Sequence, residues 1–309
     1  MDVLSDAIAA MRTGRPHSSR TVRFAPWGVR YPASQSAGFH VILQGTAWLL
    51  PPEGPDRPGG APVRLGPGDV VLFAHGTGHG LADRPDTPLV DAVPAPDGSW
   101  PTPPDRGPVG AEETLLLCGA YQLNRTRAHP LLTELPPYVH IPARVGAHPR
   151  LRAAVELLGA ELAEPQPGSD AAVPALLDTL LLYLLRTWWL TERADRTTGW
   201  SAALADPAVA AALRALHGEP ARPWTVEELG ALGGLSRAAF ARRFTALVGR
   251  PPLAYLTWWR MTTAGRLLRD DDLPLRVVAQ RFGYASEFAF AKAFKREYGM
   301  APGQYRSAS

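Results

Sequence analysis

Cysteine is nearly absent from this chain, since Cys118 is the only one among 309 residues. A single cysteine excludes an intrachain disulfide, and we expect a cytoplasmic protein in a reducing environment. Cys118 falls within the strand-like apolar run TLLLCGAYQL. Nothing nearby in the sequence would lower the pKa of its thiol, so we predict a buried and unreactive side chain.

Long uninterrupted hydrophobic runs are also missing. Residues 1–17 carry acids early and contain no continuous apolar stretch, so they do not have the pattern of a signal peptide. The most apolar segment, ALLDTLLLYLLRTWWL, is interrupted by Asp178 and Arg186, and we expect it to be too short to span a bilayer. It therefore predicts a buried or interfacial helix and no membrane association.

The charge is unevenly distributed, although the formal net charge is only +3. Residues 221–309 contain 14 basic and 7 acidic side chains, whereas residues 1–220 contain 18 basic and 22 acidic side chains. A basic block of net charge +7 beside a body of net charge −4 predicts a polyanionic partner for the C-terminal block alone.

The chain is long enough for two domains, and its pattern changes near residue 148. Before it, short β-type runs such as FHVILQGTAWLL, VRLGPGDVVLFAHG and ETLLLCGAYQL alternate with Pro/Gly-rich turns, which predicts an antiparallel barrel or sandwich over 1–147. Helical patterns follow over 148–193. We interpret ADRTTGWSAALAD as a linker (194–205), and the fold class is α+β with an all-α domain over 206–309.

The second helical pattern places Leu177, Leu181, Leu184 and Trp188 on one stripe, broadened by neighbouring leucines. A stripe of this width suits burial on two sides. One interpretation is contact with a second subunit, which would make the protein a homodimer. The other is a purely intramolecular core.

The strongest internal signal is a repeat at an offset of fifty residues. It aligns seven chemically matched pairs: Ser236/Ser286, Phe240/Phe290, Arg242/Lys292, Phe244/Phe294, Gly249/Gly299, Pro252/Pro302 and Tyr255/Tyr305. Each repeat predicts helix, Gly-containing turn and helix, over about 225–249 and 274–299, with Thr225 and Glu228 as a capping box. Two helix-turn-helix motifs are therefore expected.

The second helix of each repeat has an apolar stripe and an opposite face suited to DNA. With Phe290 facing the core, Phe288, Lys292 and Lys295 point outward and Arg296 flanks them; in the first repeat Ala238, Arg242 and Thr245 do so. A helix in the major groove needs this arrangement. The alternative is a basic helix that only faces solvent. The same basic face occurs in both helix-turn-helix motifs at equivalent positions, which makes this alternative less favoured.

These residues, above all VAQRFGYASEFAFAKAFKREYGMAPGQYR, resemble the DNA-binding domain of the AraC/XylS family of transcription regulators. The N-terminal half resembles the cupin-like effector barrel of one subgroup, through FHVILQGTAWLL, GDVVLFAHGTGHGLAD and LLLCGAYQL. The resemblance implies double-stranded DNA and RNA polymerase as partners, a small-molecule effector, and base contacts at family positions in both recognition helices. Together with the outward faces, the predicted DNA-binding residues are Arg237, Ala238, Ala241, Arg242, Thr245, Glu287, Phe288, Ala291, Lys292, Lys295 and Arg296.

Metal ligation in the barrel is the weaker prediction. His79 lies at the ligand position of the second cupin-like motif, but the expected ligand positions of the first motif fall on Gly38 and on residues 32–34. His40, His75 and His79 could supply three imidazoles, although pocket-wall histidines are the favoured interpretation and no cofactor is expected. The predicted effector-pocket residues are Trp27, Phe39, His40, Trp48, Phe73, His75 and His79.

The leading hypothesis is a sequence-specific transcription regulator controlled by a small molecule. Two alternatives remain open, namely a metal-dependent cupin enzyme tethered to DNA and an architectural DNA binder without sequence preference, which the several alanines on the recognition faces would permit. Whether transcription is raised or lowered is not encoded in these patterns.

Overall fold

A computed structural model describes residues 3–11, 14, 16–51, 60–93, 107–123, 129–192 and 199–307. The strands are β1 His17–Phe24, β2 Gly28–Tyr31, β3 Ala37–Gln44, β4 Ala47–Leu50, β5 Val63–Leu65, β6 Val70–Phe73, β7 His79–Ala82, β8 Val90–Asp91, β9 Glu113–Tyr121 and β10 Val139–Ile141. The helices are α1 Val3–Met11, α2 Pro130–Thr133, α3 Pro149–Ala163, α4 Ser169–Glu192, α5 Trp200–Ala205, α6 Pro207–Gly218, α7 Val226–Ala231, α8 Arg237–Val248, α9 Pro252–Asp270, α10 Leu275–Arg281, α11 Glu287–Tyr298 and α12 Pro302–Ser307.

The described residues form two compact units. The first, here called the barrel unit, comprises those within 14–125 and 135–191. The second, the helical unit, comprises those within 1–13, 126–134 and 192–309. Each unit thus contains segments that are distant in sequence.

Two five-stranded sheets build the barrel unit, in the orders β1-β9-β3-β6-β10 and β5-β4-β7-β2-β8. Among the described strands all pairs are antiparallel except β2 with β8. One apolar core contains Phe73 and Leu116 from the first sheet and Val29 and Leu49 from the second. The predicted β-rich N-terminal domain is therefore confirmed. Strand β1 was not predicted, because its sequence, HSSRTVRF, is largely polar and, at the sheet edge, none of its residues is fully buried.

Helix α4 is 24 residues long, so the expectation that this segment is too short to span a bilayer is wrong, because the helix extends beyond the interrupted apolar run. Among the described residues it is the one helix that is long and apolar enough, by length and composition alone, to cross a bilayer. The predicted stripe is nevertheless buried from Leu177 to Trp188, and the Tyr121 hydroxyl donates to the Leu177 carbonyl at 2.8 Å. Leu157 of α3 and Leu190 of α4 are exposed. An intramolecular core thus accounts for the stripe, and subunit contact stays a prediction.

The two predicted helix-turn-helix motifs are α7–α8 and α10–α11. Thr225 and Glu228 form the predicted capping box at the start of α7. The Ser236 and Ser286 side chains accept the backbone N–H of the third helical residue in α8 and α11, at 3.4 and 3.1 Å. Both helices end at a glycine with φ near 77°, so the repeats share their boundaries.

Helix α9 lies between the two motifs and contacts both α8 and α11. Its 19 residues span about 28 Å at 1.5 Å per residue. The predicted close packing at Gly265 is present, because a Cβ atom there would lie 2.3 Å from the Tyr298 hydroxyl oxygen. That hydroxyl donates to the Met261 carbonyl, and the Tyr298 ring stacks on Phe294 at 4.2 Å. The tyrosine therefore has little freedom to move aside.

Helix α1 belongs to the helical unit, where it contacts α6 and α9. Its buried side chains include Leu4 and Ile8. The Asp6 carboxylate lies 3.5 Å from Nδ1 of His217, whose Nε2 lies 2.7 Å from the Tyr255 hydroxyl. A helix from the start of the chain thus forms part of the core beside the DNA-binding motifs.

A second early segment, 129–134, also belongs to the helical unit. The His129 ring is fully buried and meets Trp200 and Trp258 edge-on, at centroid distances of 4.5 and 5.2 Å. The Glu134 carboxylate accepts the backbone N–H of Trp200 at 2.8 Å. The predicted domain boundaries assigned 1–13 and 126–134 to the barrel, whereas both segments belong to the helical unit. The prediction missed them because it assumed that each domain is one continuous stretch of sequence.

The predicted linker, 194–205, is wrong over its second half. Residues 200–205 form helix α5, and Trp200 is fully buried against neighbouring aromatic rings. Residues 194–198 lie outside the described part of the chain. The small residues around Trp200 suggested a linker, whereas burial of the indole ring makes this segment part of the core.

Substituting Gly265→Ala should destabilise the helical unit by about 1–3 kcal/mol, because the new methyl group would overlap the constrained Tyr298. Gly218→Ala is the matched control, since nothing lies within 4 Å of the Cβ position at this helical glycine. Thermal or urea unfolding of both variants measures the difference. Equal unfolding free energies for the two variants would contradict the packing argument.

Candidate nucleic-acid interface and ligand cavity

The outward faces of α8 and α11 carry the predicted DNA-binding residues. Arg237, Ala238, Arg242, Glu287, Phe288, Lys292, Lys295 and Arg296 are exposed, and Ala241, Thr245 and Ala291 are half-buried. Within the described residues no ion pair is formed by Arg237, Arg242, Lys292 or Lys295. Both faces therefore present cations that remain available to phosphates or base edges.

Phe288 is the exposed aromatic residue on the second recognition helix, with 79% of its surface accessible. Phe290 and Phe294 on the same helix are completely buried. This contrast confirms the predicted orientation of α11. An exposed phenyl ring among Lys292 and Lys295 has no role in the core, and it is suited to an apolar contact such as a thymine methyl group.

Arg243 of α8 has a structural role that the sequence analysis did not assign. It forms a charge-assisted pair with Asp206, which also caps α6 by accepting the Val209 N–H at 2.9 Å. The Thr245 hydroxyl donates to the Ala241 carbonyl at 2.8 Å, so its proton is already used within the helix. Arg237 and Arg242 are thus the two cations of α8 available to DNA.

A cavity of about 890 Å³ opens in the barrel unit, large enough for a small organic molecule. Four of the seven predicted pocket residues line it, namely Trp27, His40, Phe73 and His79. The cavity is also lined by Arg23, Tyr31, Thr77 and Cys118.

Three predicted pocket residues do not line this cavity. Phe39 precedes His40 on β3, and successive side chains of a strand point to opposite faces. Phe39 and His40 therefore cannot both line the cavity. Trp48 alternates with Ala47 and Leu49, whose side chains are buried in the core. His75 follows the end of β6, and its Nε2 donates to the Leu135 carbonyl at 2.8 Å.

A chain of hydrogen bonds runs through the cavity wall. Nδ1 of His79 lies 2.9 Å from the Thr77 carbonyl, which only accepts, so the proton of a neutral His79 is on Nδ1. Its Nε2 must then accept from Nε2–H of His40, at 2.8 Å. Nδ1 of His40 in turn accepts from the Cys118 thiol at 3.0 Å. Every proton of these three side chains is therefore engaged.

The groups in this wall are uncharged near neutral pH. Burial lowers the pKa of His40 well below its usual value, and neighbouring His79 lowers it further. Burial lowers the pKa of His79 to about 4. Burial raises the pKa of the Cys118 thiol to about 12 and raises that of Tyr31. The predicted unreactive thiol agrees with this environment.

Aromatic rings cover much of the same wall. Phe73 stacks on His79 at a centroid distance of 3.6 Å, and Tyr31 stacks on the same imidazole at 5.1 Å. Arg23 lies beside the Tyr31 hydroxyl and Cys118, and its charge offsets part of the increase in pKa that burial causes in both groups. The wall around His40 and His79 is thus neutral and ring-lined, while Arg20, Arg23 and Asp91 bring charged groups to other parts of the lining.

The three imidazoles of the weak metal hypothesis are not brought together. His40 and His79 hydrogen-bond to each other, whereas His75 is engaged with the Leu135 carbonyl. No group of three or more metal-ligating side chains converges within the part of the chain that the structure describes. The residues present do not form the tetrahedral or octahedral donor set that a bound ion would need.

Sequence reasoning missed Tyr31, Thr77, Cys118 and Arg23 as cavity residues. Cys118 lies on β9 directly opposite His40 of β3. That pairing is non-local, and the sequence alone does not supply the register. Arg23 lies on β1, and this strand was not predicted because its sequence is polar.

Two family models and several relatives match this chain. A family model described as Cupin matches residues 2–189, and one described as a helix-turn-helix domain matches residues 230–308. A putative AraC-like transcription regulator of Streptomyces antibioticus is 34% identical over 99% of this chain and 98% of its own. One of Streptomyces lividans is 35% identical over the same shares. The DNA-binding domain of AdpA, solved in complex with a target DNA, is 37% identical, covering 33% of this chain and 92% of its own, with a TM-score of 0.31.

Acidification should destabilise the barrel unit through its buried imidazoles. The pKa of His79 is about 4 in the folded protein and 6.5 when unperturbed, so the unfolded chain binds more protons between these values. Stability should therefore fall as the pH drops below about 6.5, by ~2 kcal/mol for this group between pH 7 and 5. Urea unfolding at several pH values measures this.

His79→Gln is the comparison variant, since the amide keeps polar atoms near the same place without titrating. The helical unit contains buried His129, and the pKa of this residue is also lowered. Because His129 is present in both proteins, its contribution to the pH dependence cancels in the comparison. A pH dependence that is unchanged by His79→Gln would show that His79 does not titrate on unfolding in this range.

Proposed function

The chain belongs to the AraC-like transcription regulators, with a cupin domain followed by a helix-turn-helix DNA-binding domain, and from this premise we propose how the two units divide the work. The helical unit reads a promoter site through α8 and α11. The barrel unit binds a small-molecule effector in its cavity. Occupancy of the cavity then changes the affinity for DNA.

One observation carries the DNA-reading proposal. The two helix-turn-helix motifs repeat the same caps, buried phenylalanine pairs and glycine ends at an offset of fifty residues, and both present basic outer faces. A single solvated basic helix would not require this duplication. Both recognition helices contact the same helix, α9. This arrangement is suited to an asymmetric DNA site in which each recognition helix enters one of two successive major-groove segments.

The roles of individual side chains follow from their chemistry. Arg242 and Lys292 are the candidate hydrogen-bond readers of base edges, and Glu287 is suited to accept from a cytosine amino group. Arg237, Lys295 and Arg296 suit phosphate contacts, while Ala238, Ala241 and Ala291 allow close approach without reading a donor–acceptor pattern. Much of the specificity would then come from DNA shape.

The cavity wall indicates the kind of effector. Because the thiol and imidazole protons are already engaged, the neutral part of the wall formed by His40, His79 and Cys118 offers little to a cation or a metal chelate. Stacked rings favour an apolar, ring-bearing molecule. Arg23 supplies the cation to pair with an acidic group on that molecule.

Assembly and signalling partners complete the proposal. Exposed Leu157 and Leu190 on α3 and α4 support a homodimer contact through these helices. Contact with RNA polymerase and a cytoplasmic location are expected for a bacterial regulator of this family. We infer a regulator and not an enzyme, since the full-length relatives are transcription regulators.

Two alternatives have definite tests. A metal-dependent cupin enzyme would copurify with a stoichiometric ion, and metal analysis with His40→Ala and His79→Ala variants decides it. An architectural DNA binder would show no preference among sequences. Selection of bound sequences from random DNA, with and without cell metabolites, tests the leading proposal: an enriched motif supports it, and recovery of unselected sequences contradicts it.

Arg242→Ala and Lys292→Ala should each weaken binding to the selected site by about 1–3 kcal/mol and relax the preference at one base pair. Fluorescence anisotropy against all four variants at each position measures both effects. Arg214→Ala removes an exposed arginine from α6, outside the recognition helices, and controls for the loss of charge. An equal loss on every sequence would identify the residue as a phosphate contact.

Phe288→Ala should cost about 1 kcal/mol on the selected site if the ring covers a thymine methyl group. Replacing individual thymines by uracil removes that methyl group without changing the hydrogen-bonding edge. At the contacted position uracil should weaken binding of the parent protein and leave the variant unaffected. If no thymine-to-uracil change distinguishes the two proteins, Phe288 does not read a methyl group.

A further inference from the structure

Asp206 joins the start of α6 to the first recognition helix. Its two carboxylate oxygens have separate partners: Oδ1 accepts the backbone N–H of Val209 at 2.9 Å and caps α6, whereas Oδ2 accepts from Nε and Nη2 of Arg243 in α8. The Asp206 side chain is only 5% exposed, so its charge depends on these partners instead of on water. All three residues belong to the helical unit.

The start of α6 is a fixed point for the first helix-turn-helix motif. Helix α6 contacts both helices of that motif, α7 and α8. The turn between them also lies against the first turn of α6, because a Cβ atom at Gly233 would lie 2.2 Å from Cβ of Ala208. The Asp206–Arg243 pair therefore ties α8 to an element that already packs against the rest of its motif.

The position of Arg243 on α8 relates this pair to the rotation of the helix about its own axis. Successive residues are about 100° apart around an α-helix, so Arg243 lies about 100° from the outward Arg242. It borders the face that is buried through Phe240 and Phe244. Because the ion pair is displaced from that buried stripe, it opposes rotation of the helix and thereby fixes the direction of Arg242.

The corresponding position of the second recognition helix cannot form such a pair. At the offset of fifty residues Arg243 corresponds to Ala293, which is buried in an apolar core with Met261 and Val278. The two repeats thus differ at this point, where an ion pair holds α8 and apolar packing holds α11.

We propose that Arg243 is a positioning residue for sequence recognition, and that its pair with Asp206 sets the direction in which α8 presents Arg242 to DNA. This inference rests on the proposed function, since it assigns part of the specificity of the first motif to a residue that contacts no base. The Arg243 side chain is 56% exposed, so direct contact with a DNA phosphate is the competing role. The two roles predict opposite effects of removing the Asp206 charge.

Asp206→Asn is the deciding variant. The amide oxygen still accepts the Val209 N–H, so α6 keeps its cap, whereas the amide nitrogen is a donor and cannot pair with the guanidinium. If Arg243 contacts a phosphate, releasing it and adding one positive net charge should strengthen binding to every sequence. If Arg243 positions α8, selectivity should fall in the half of the site that α8 reads, although the protein has become more positive.

The DNA probe is a duplex of the highest-ranked sequence that the full-length parent protein selects from random DNA. The base pairs at which Arg242→Ala and Lys292→Ala relax the preference mark the halves read by α8 and α11. Fluorescence anisotropy with single-base-pair changes then measures the discrimination in each half. Asp206→Asn should reduce discrimination in the α8 half by about threefold or more and leave the α11 half unchanged.

Glu227→Gln is the charge-matched control, since it removes one negative charge from an exposed side chain of the same motif. Arg243→Met removes the guanidinium and should reproduce the loss in the α8 half, whereas Arg243→Lys retains a cation for Asp206 and should restore part of it. The double variant Asp206→Asn/Arg243→Met should lose no more than either single variant, because each removes the same pair. Additive losses, or tighter binding of Asp206→Asn to all sequences, would overturn the proposal.

Hydrogen exchange in the free protein tests the same contact without DNA. Asp206→Asn should raise exchange in α8 about threefold or more relative to α11, and Glu227→Gln should change neither helix. Unchanged exchange in α8 would contradict the positioning role. A parent protein that enriches no DNA motif would instead refute the proposed function, and the exchange measurement would still decide whether the pair holds α8.

Discussion

Burial of two phenylalanines on each recognition helix is the constraint on which the DNA-reading surface depends. Phe240 and Phe244, and likewise Phe290 and Phe294, have no exposed surface. Because residues four apart share a helix face, fixing these rings in the core leaves only one orientation for the rest of the helix. The outward position of Phe288 and the neighbouring cations is therefore a consequence of packing, and the chemistry of reading DNA is added to a face that the core has already selected.

Packing also determines side-chain orientation in the barrel, where successive residues of a strand point to opposite faces. His40 can face the cavity because Phe39 faces the opposite side of β3 and packs against Tyr121. The inward imidazole then has to be satisfied in a buried place, and the chain through Cys118 and His79 does this without any charge. A wall built to satisfy its own protons leaves shape and ring contact as the main means of recognising a ligand.

Sequence reasoning succeeded where the determinants are local. The capping box of Thr225 and Glu228 and the terminal glycines Gly249 and Gly299 act over three or four residues, and a fifty-residue repeat shows them twice. It failed where the determinants are contacts between distant segments. Trp200 looks like part of a linker until His129 and Tyr255 are placed beside it, and no periodicity within 129–134 reveals that this segment leaves the barrel.

Folding and function are consequently divided differently along this chain. The sequence suggests a sensor followed by a reader, each separable by cutting near residue 194, but the helical unit includes helix α1 and segment 129–134 from within the sensor sequence. Removing them would uncover the indole ring of Trp200, which packs against His129, and would leave the Trp200 N–H without its carboxylate partner. The core of the helical unit therefore contains residues that precede and interrupt the barrel sequence, so the C-terminal residues alone do not encode the complete DNA-reading unit.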